Sequence, residues 1–178
     1  MLLNFGQPAN GIIQVAYVVE NIETAMGDFT RRLGMGPWFV SGPFVPKQGR
    51  YRGRPTHMRL TLAVAFAGHM MFELIEQHDE EPSVYREMID TRGYGFHHWA
   101  MPVENLDAAV ARYAADGYEV AFSDLSPRGA RIAYLDSLRD LPGMLELIEM
   151  SPDLEAKYTR MYLASVGWDG RDAIRRAE

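Results

Sequence analysis

Four polar side chains stand alone in apolar stretches of this sequence, and their chemical types suit a divalent metal ion. Gln14 and His98 open two similar segments, QVAYVVENIETA and HWAMPVENLDAA. Glu73 and Glu146 share the second position of the segments FELIE and LELIE. An amide oxygen, an imidazole nitrogen and two carboxylates are ligands that hard or borderline divalent ions accept. The set therefore predicts a metal site, provided that the fold brings the four residues together.

The strand pattern around these residues gives each of them apolar neighbours on its own face. Because side chains alternate between the two faces of a strand, Gln14 shares a face with Ala16 and Val18, and the other three residues have similar surroundings. A carboxylate on a buried face needs a cation or a hydrogen-bonded partner. The alternative is four unrelated residues: a hydrogen-bonded glutamine, a core histidine and carboxylates at exposed strand ends. The recurrence of polar residues at the same positions in both halves favours the joint site.

An internal repeat supplies the elements that hold these residues. The pattern predicts a strand, a helix capped by Asn21 and three further strands, and then the same order again. The predicted helices are 22–33 and 106–113. One predicted strand begins at residue 37, and the other predicted strands are 12–19, 57–67, 70–77, 98–103, 118–122, 131–135 and 144–150. We therefore expect one α+β domain over 1–178, in which tandem βαβββ modules form a cupped, eight-stranded mixed sheet. The expected modules are 11–78 and 95–151, with a linker helix in 79–94 and a C-terminal tail, 152–178, that begins as a helix.

The composition narrows the possible partners and compartments. The 178 residues include 18 basic and 24 acidic side chains, and the resulting net charge of -6 argues against nucleic acid or an anionic membrane as the main partner. No apolar run approaches the roughly 20 residues that cross a bilayer, and the first residues lack the features of a secretory signal. The absence of cysteine excludes disulfides and thiolate metal sites, and it fits a reducing cytoplasm.

Several motifs of the sequence together resemble the vicinal oxygen chelate superfamily, which includes glyoxalases, methylmalonyl-CoA epimerases, extradiol dioxygenases and bleomycin-resistance proteins. The resemblance covers about residues 11–151 and rests on QVAYVVENIETA, LGMGPW, FELIE, HHWAMPVEN and GMLELIE. It implies paired βαβββ modules around one metal ion, with Gln14, Glu73, His98 and Glu146 at the ligand positions. The first of these positions is often His in the family, so Gln14 is a departure. The repeat aligns His98, rather than His97, with Gln14, and strand alternation places His97 on the opposite face.

The resemblance also implies a type of chemistry. A metal ion in an apolar cup polarises a carbonyl and favours loss of a neighbouring proton, which is similar to the glyoxalase and epimerase branches. We expect zinc, nickel, cobalt or manganese as the metal, and a lyase or isomerase as the activity. Glu146 is the first candidate for the proton acceptor, and His57 at the start of a strand is the second, with an exposed structural role for His57 as its alternative. The two alternatives are a non-catalytic binding module of the bleomycin-resistance type, which resembles this scaffold without the ligands, and an extradiol-type dioxygenase. Extradiol dioxygenases use two His and one carboxylate, whereas this set has one His, which argues for the lyase or isomerase.

A basic segment offers candidates for substrate binding. Lys47, Arg50, Arg52 and Arg54 crowd a loop from 41 to 55 that is rich in Gly and Pro, and their side chains are suited to a carboxylate or phosphate of a small-molecule substrate. The alternative is an ordinary solvated, mobile loop. The family resemblance further suggests a homodimer, to which a surface residue such as Trp168 would contribute.

Overall fold

The computed structural model describes residues 1–126 and 129–176 and contains four helices and eleven strands within them. The helices are α1 (Ile22–Leu33), α2 (Val84–Arg92), α3 (Leu106–Ala115) and α4 (Pro152–Ser165). The strands are β1 (Gln14–Val18), β2 (Trp38–Phe44), β3 (Arg50–Tyr51), β4 (Arg54–Pro55), β5 (Leu60–Ala67), β6 (Met70–Gln77), β7 (Gly95–Val103), β8 (Glu119–Leu125), β9 (Arg131–Asp136), β10 (Met144–Glu149) and β11 (Ile174–Arg176). Among the described residues, no helix has the length and apolarity needed to cross a membrane.

The strands form one mixed sheet whose central part is symmetric. Its order is β11-β2-β5-β6-β1-β7-β10-β9-β8-β3-β4. The first half, β2-β5-β6-β1, meets the second half, β7-β10-β9-β8, where β1 and β7 pair antiparallel. In each half the first strand pairs parallel with the last, β1 with β6 and β7 with β10. The α+β class and the tandem βαβββ arrangement are thus confirmed, with three short strands added at the edges of the expected eight.

The same capping pattern starts the first helix of each half. Asn21 and Asn105 accept hydrogen bonds from the backbone N–H of the third residue beyond them, each at 2.8 Å. Such caps stabilise a helix by about 1 kcal/mol. The second carboxylate of each ELIE segment adds to the cap, since Glu76 Oε2 accepts the N–H of Ile22 at 2.8 Å and Glu149 Oε1 accepts that of Leu106 at 3.0 Å. The repeated sequence therefore encodes a repeated junction between the last strand and the first helix of each module.

The two faces of the sheet have different coverings. We call the face that carries Gln14 and Ala16 the inner face and the opposite one the outer face. Helices α1 and α3 pack on the outer face, against side chains such as Trp38 and Leu145. The inner face is covered by α4, α2 and the N-terminal segment, whose apolar residues join one large core. The rings of Phe5 and Tyr158 meet edge to face with their centroids 6.1 Å apart, so the N-terminal segment and α4 pack together above the inner face.

The segment between β2 and β5 is more ordered than its composition indicates. Strand β2 continues to Phe44, and β3 and β4 form a small hairpin whose first strand pairs with β8. The predicted strand 57–67 begins later, at Leu60. Gln48 N–H donates to Asp124 Oδ1 at 2.9 Å, which ties the segment to β8. The segment that the sequence describes as a loop therefore contains two short paired strands, which its composition does not indicate because the pairing with β8 comes from residues 70 or more positions away.

Trp168 packs within its own chain. Its indole N–H donates to the carbonyl of Arg171 at 2.7 Å, and its ring lies against Gly36, where a Cβ would collide with the ring. The backbone φ of Gly36 is 153°, a value that L side chains rarely adopt. Both the ring contact and the backbone conformation therefore explain glycine at this position.

Candidate metal centre

The four residues singled out by the repeat lie on the four central strands of the sheet. Gln14 is on β1, Glu73 on β6, His98 on β7 and Glu146 on β10. Their exposed fractions are 2%, 5%, 0% and 4%, in that order. Four strong hydrogen-bonding groups are therefore withdrawn from water at the centre of the inner face, where each needs a polar partner.

Two buried alanines set the positions of these side chains. Ala16 is paired with Glu73 on one side and with His98 on the other. Ala100 is paired in the same way with Gln14 and Glu146. Because a methyl group is short, neither alanine side chain stands between its two polar neighbours. The four polar groups consequently converge over the junction of the two modules.

The measured distances show this convergence. His98 Nε2 lies 3.3 Å from Glu146 Oε2 and 3.9 Å from Glu73 Oε2. Gln14 Nε2 donates to Glu73 Oε2 at 3.0 Å and lies 3.4 Å from His98 Nε2. One imidazole nitrogen therefore contacts all three of the other groups, so the set predicted from the sequence meets at a single point.

A chain of hydrogen bonds fixes which nitrogen of His98 carries the proton. His97 Nε2 lies 3.2 Å from the carbonyl oxygen of Val84, which can only accept, so this nitrogen bears the hydrogen. The Nδ1 atoms of His97 and His98 are 2.9 Å apart. In neutral rings, His97 Nδ1 is then the acceptor and His98 Nδ1 the donor. His98 Nε2 is left with its lone pair, which points at the two carboxylates and at Gln14.

Burial keeps both rings neutral. Loss of solvation lowers the pKa of His97 to about 3, and the neighbouring His98 lowers it further. Loss of solvation also lowers the pKa of His98 to about 4, while Glu73 acts in the opposite direction. A neutral imidazole with an inward lone pair is the form that binds a metal ion.

The placement of His97 differs from the one expected from strand alternation. The β1–β7 pairing skips a residue, because Ala16 faces His98 while the next residue, Tyr17, faces Phe96. This β-bulge leaves His97 without a partner on β1 and turns its side chain toward the ring of His98. Bulges re-aim side chains in this way and are common next to functional sites. A sequence pattern with period two contains no sign of such an extra residue.

The donor set fits a divalent ion after small rearrangements. As the side chains stand, no group of three or more His, Cys, Asp and Glu in 1–126 and 129–176 is arranged to hold a metal ion. Gln14 presents its amide nitrogen, a donor, to Glu73 and His98. Rotation of the amide by half a turn exchanges this nitrogen for the oxygen with almost no change in volume. Two carboxylates, an imidazole lone pair and an amide oxygen then make a ligand set of the type that divalent ions accept.

A small central cavity adjoins this polar centre, and three of its four residues, Gln14, Glu73 and Glu146, contribute to the lining. Its volume is about 30 Å³, which corresponds to about one water molecule. Tyr134 and Tyr158 contribute to its wall, and both are almost fully buried. The ring of Tyr134 lies 4.7 Å from that of His98, and its hydroxyl is 3.0 Å from that of Tyr85. Desolvation raises the pKa of Tyr85 and of Tyr134 well above the usual value, so these two hydroxyls remain protonated.

These aromatic residues were not foreseen from the sequence. Tyr134 is read there as one more residue of the apolar strand RIAYL. Its pairing with Glu146 places it beside the polar centre. Tyr158 belongs to α4, and nothing in its local sequence indicates that this helix folds back over the inner face.

A larger outer pocket adjoins the central cavity. Its volume is about 550 Å³, and it shares Pro46, Asp124 and Ile132 with the lining of the central cavity. His57 precedes β5, is exposed and lies in the wall of this outer pocket. Its candidate role as proton acceptor required it to face the central cavity, but it is not part of that lining. Of the three predicted arginines only Arg50 lines the outer pocket, whereas Arg52 bonds to Glu87 and Asp136 and Arg54 stands exposed on β4.

Comparisons with known proteins support the fold. Residues 13–134 match a family model described as the Glyoxalase/Bleomycin resistance protein/Dioxygenase superfamily. A search of curated proteins returned no match. A hypothetical protein from Bacillus halodurans C-125 is 20% identical with a TM-score of 0.64, over 81% of this chain and 96% of that one.

Two further solved structures are methylmalonyl-CoA epimerases. The enzyme from Mycobacterium tuberculosis is 23% identical with a TM-score of 0.59, over 82% of this chain and 91% of that chain. A variant of the Streptomyces coelicolor epimerase in complex with 2-nitronate-propionyl-CoA is 18% identical with a TM-score of 0.60, over 79% of this chain and 97% of that chain. At these identities the similarity concerns the fold.

Proposed function

The chain belongs to the Glyoxalase/Bleomycin resistance protein/Dioxygenase superfamily, and we propose that it is a metal-dependent lyase or isomerase that moves a proton next to a carbonyl of a small molecule. The observation that carries the proposal is the meeting of Gln14, Glu73 and Glu146 around the inward lone pair of His98. Two carboxylates at one buried point repel each other, and a divalent cation offsets that repulsion.

The four central residues would hold the ion. When bound there, a divalent metal supplies Lewis-acid polarisation of a carbonyl oxygen. Gln14 would turn its amide oxygen inward, and His98 would use Nε2. The hydrogen bond from His98 Nδ1 to His97 orients the ring, an arrangement that supports metal-binding histidines generally.

Glu146 is the residue that we propose as proton acceptor. Glu146 lies across from Tyr134, in the wall of the central cavity. Its carboxylate would take a proton from the substrate carbon and return it to the same or a neighbouring carbon. His57 is not included in this role because it is exposed in the outer pocket.

The hydrogen bonds of the histidines weigh against dioxygenase chemistry. An iron dioxygenase of the two-His type needs two imidazole lone pairs at the metal. His97 uses Nδ1 for His98 and Nε2 for the carbonyl of Val84, so only His98 directs a lone pair at the site. Iron in the purified protein with oxygen uptake on catechols would nevertheless replace our proposal.

Elemental analysis tests the proposal directly. We expect about one zinc, nickel, cobalt or manganese ion per chain in the wild type and loss of this metal in Glu146→Gln. Glu149→Gln is the matched control, because this carboxylate is on the same strand but caps α3. Absence of bound metal in wild-type protein, even after soaking, would leave a non-catalytic binding module as the better account.

Catalysis is tested by proton exchange. Carbonyl compounds, including thioesters of the kind bound by the similar epimerases, are incubated in deuterated water and followed by proton NMR. We expect exchange next to the carbonyl with wild type and Glu149→Gln, and an exchange rate about a hundredfold or more lower with Glu146→Gln.

We also propose that the protein is a homodimer. Size-exclusion chromatography of the same samples tests this oligomeric state.

A further inference from the structure

We propose that the outer pocket binds an oxyanion, a carboxylate or phosphate carried by the substrate at some distance from its reacting carbon. The inference rests on the proposed function, because it assumes that the reacting end of the substrate lies in the central cavity. It assigns a substrate class, namely anionic carbonyl compounds.

Volume and position support a role for the outer pocket in binding. Its 550 Å³ fall within the range of about 300–1,000 Å³ that is usual for ligand sites. The central cavity has room for about one water molecule, so most of any substrate must lie elsewhere. Since Pro46, Asp124 and Ile132 line both spaces, the outer pocket lies directly beside the central cavity, which is where we place the reacting end of the substrate.

The charges in the wall of this pocket favour an anion. Within 1–126 and 129–176, neither Lys47 nor Arg50 forms an ion pair, and Arg50 Nη1 donates only to the carbonyl of Gly53, at 3.0 Å. Arg131 also lines the pocket, but it bonds to Asp107 at 2.5 Å and to Glu149 at 3.4 Å.

Asp124 brings a negative charge to the same lining. Arg131 is engaged by two carboxylates, Asp107 and Glu149, that do not themselves line the pocket, so the lining residues left for a ligand are the cations Lys47 and Arg50 and the single carboxylate Asp124. This local excess contrasts with the net charge of -6 for the whole chain. Unpaired cations beside a cavity in an acidic protein are suited to charge-assisted hydrogen bonds with an oxyanion.

Hydrogen bonds hold the cationic wall in place. Thr56 N–H donates to the carbonyl of Gly49 at 3.0 Å, and Thr56 Oγ1 donates to that of Pro82 at 2.9 Å. Gln48 N–H donates to Asp124 Oδ1 at 2.9 Å. The loop that carries Lys47 and Arg50 is thereby fixed to β8 and to the segment before α2, so an anion binds without the cost of ordering a free loop.

Titration with two simple anions tests the site. Inorganic phosphate and succinate are added at constant ionic strength to the protein as purified, and binding is followed by calorimetry and NMR. We expect at least one of them to bind with a Kd of about 1 mM. Lys47→Gln/Arg50→Gln is expected to weaken that binding about tenfold, and Asp124→Asn to tighten it. Arg54→Gln is the matched control, since Arg54 is exposed on the same segment and does not line the pocket.

The outcomes separate this inference from the proposed function. Binding of phosphate alone or of succinate alone identifies the oxyanion and supports the site. Failure of both anions to bind the wild type, or equal weakening in Arg54→Gln, overturns it. The single variants Lys47→Gln and Arg50→Gln replace the double variant if circular dichroism shows that the latter is unfolded. Metal content of the same samples tests the central site independently, so either conclusion can fail while the other stands.

Discussion

The Nδ1 atoms of His97 and His98, two residues adjacent in the chain, are 2.9 Å apart in a buried hydrogen bond. Adjacent residues of a regular strand point to opposite faces, so this contact exists only because of the bulge in β7. The carbonyl of Val84 completes the chain of hydrogen bonds. Through this chain of hydrogen bonds, the backbone carbonyl of the first residue of α2 determines which nitrogen of His98 faces the polar centre.

We expect His97→Phe to weaken metal binding about 10- to 100-fold. The substitution removes the acceptor of the His98 Nδ1 hydrogen, and loss of such a partner typically has this effect on a metal site. The buried N–H left behind also costs about 1–3 kcal/mol of unfolding free energy. Competition with a chelating dye measures the metal affinity, and urea unfolding measures the stability.

His97→Gln is the rescue variant for this prediction, because a glutamine oxygen can accept from His98 and its amide can donate toward Val84. His57→Gln is the control, since it removes an exposed imidazole from the outer pocket. Metal affinity equal to that of the wild type in His97→Phe would show that the hydrogen bond does not support the site.

Metal binding is expected to stabilise the fold by an amount that grows with the logarithm of the ratio between free metal concentration and Kd. At a free metal concentration 100-fold above Kd, the native state gains about 2.7 kcal/mol. For a chain of 178 residues this raises Tm by about 5–10 °C. Differential scanning calorimetry with and without metal should show the shift in wild type and in Glu149→Gln. A shift of the same size in Glu73→Gln would place the ion elsewhere.

The two alanines between the polar residues should not tolerate larger side chains. Ala100→Leu inserts three extra carbon atoms beside Gln14 and Glu146, at a position with no exposed surface. We expect a loss of about 1–3 kcal/mol of unfolding free energy together with loss of the metal. Ala65→Leu is equally buried but packs among the residues of the outer face, so it should lose stability alone. Retention of metal by Ala100→Leu would contradict the proposed geometry.

The central strands and their polar residues were predictable from the sequence because both depend on local periodicity. Gln14 and Glu73 lie on strands whose alternation is unbroken, and the repeat predicts that His98 and Glu146 hold matching positions. The inner face follows from that alternation without any knowledge of distant contacts.

The remaining features depend on contacts between distant parts of the chain. His97 lies at a bulge, which no periodic pattern reveals. Strand β3 pairs with β8 through residues such as Arg50 and Ser123, which are far apart in the sequence. Arg52 resembles its neighbours in the sequence, yet only the fold brings Glu87 and Asp136 to it. A single sequence indicates which residues are basic or buried but not which partners they meet.

We expect Tyr158→Ala to enlarge the central cavity and to reduce stability markedly. Tyr158 is 4% exposed, lines this cavity and meets the ring of Phe5. Truncation of a buried aromatic ring typically costs about 3–5 kcal/mol of unfolding free energy. Tyr162→Ala, one turn later on α4, is the control, because Tyr162 is only partly buried and lies outside the cavity. Urea unfolding compares the two variants, and metal content shows whether the site survives. If Tyr162→Ala costs as much as Tyr158→Ala, the packing of α4 as a whole, rather than the filling of the cavity by Tyr158, determines the stability of the inner face.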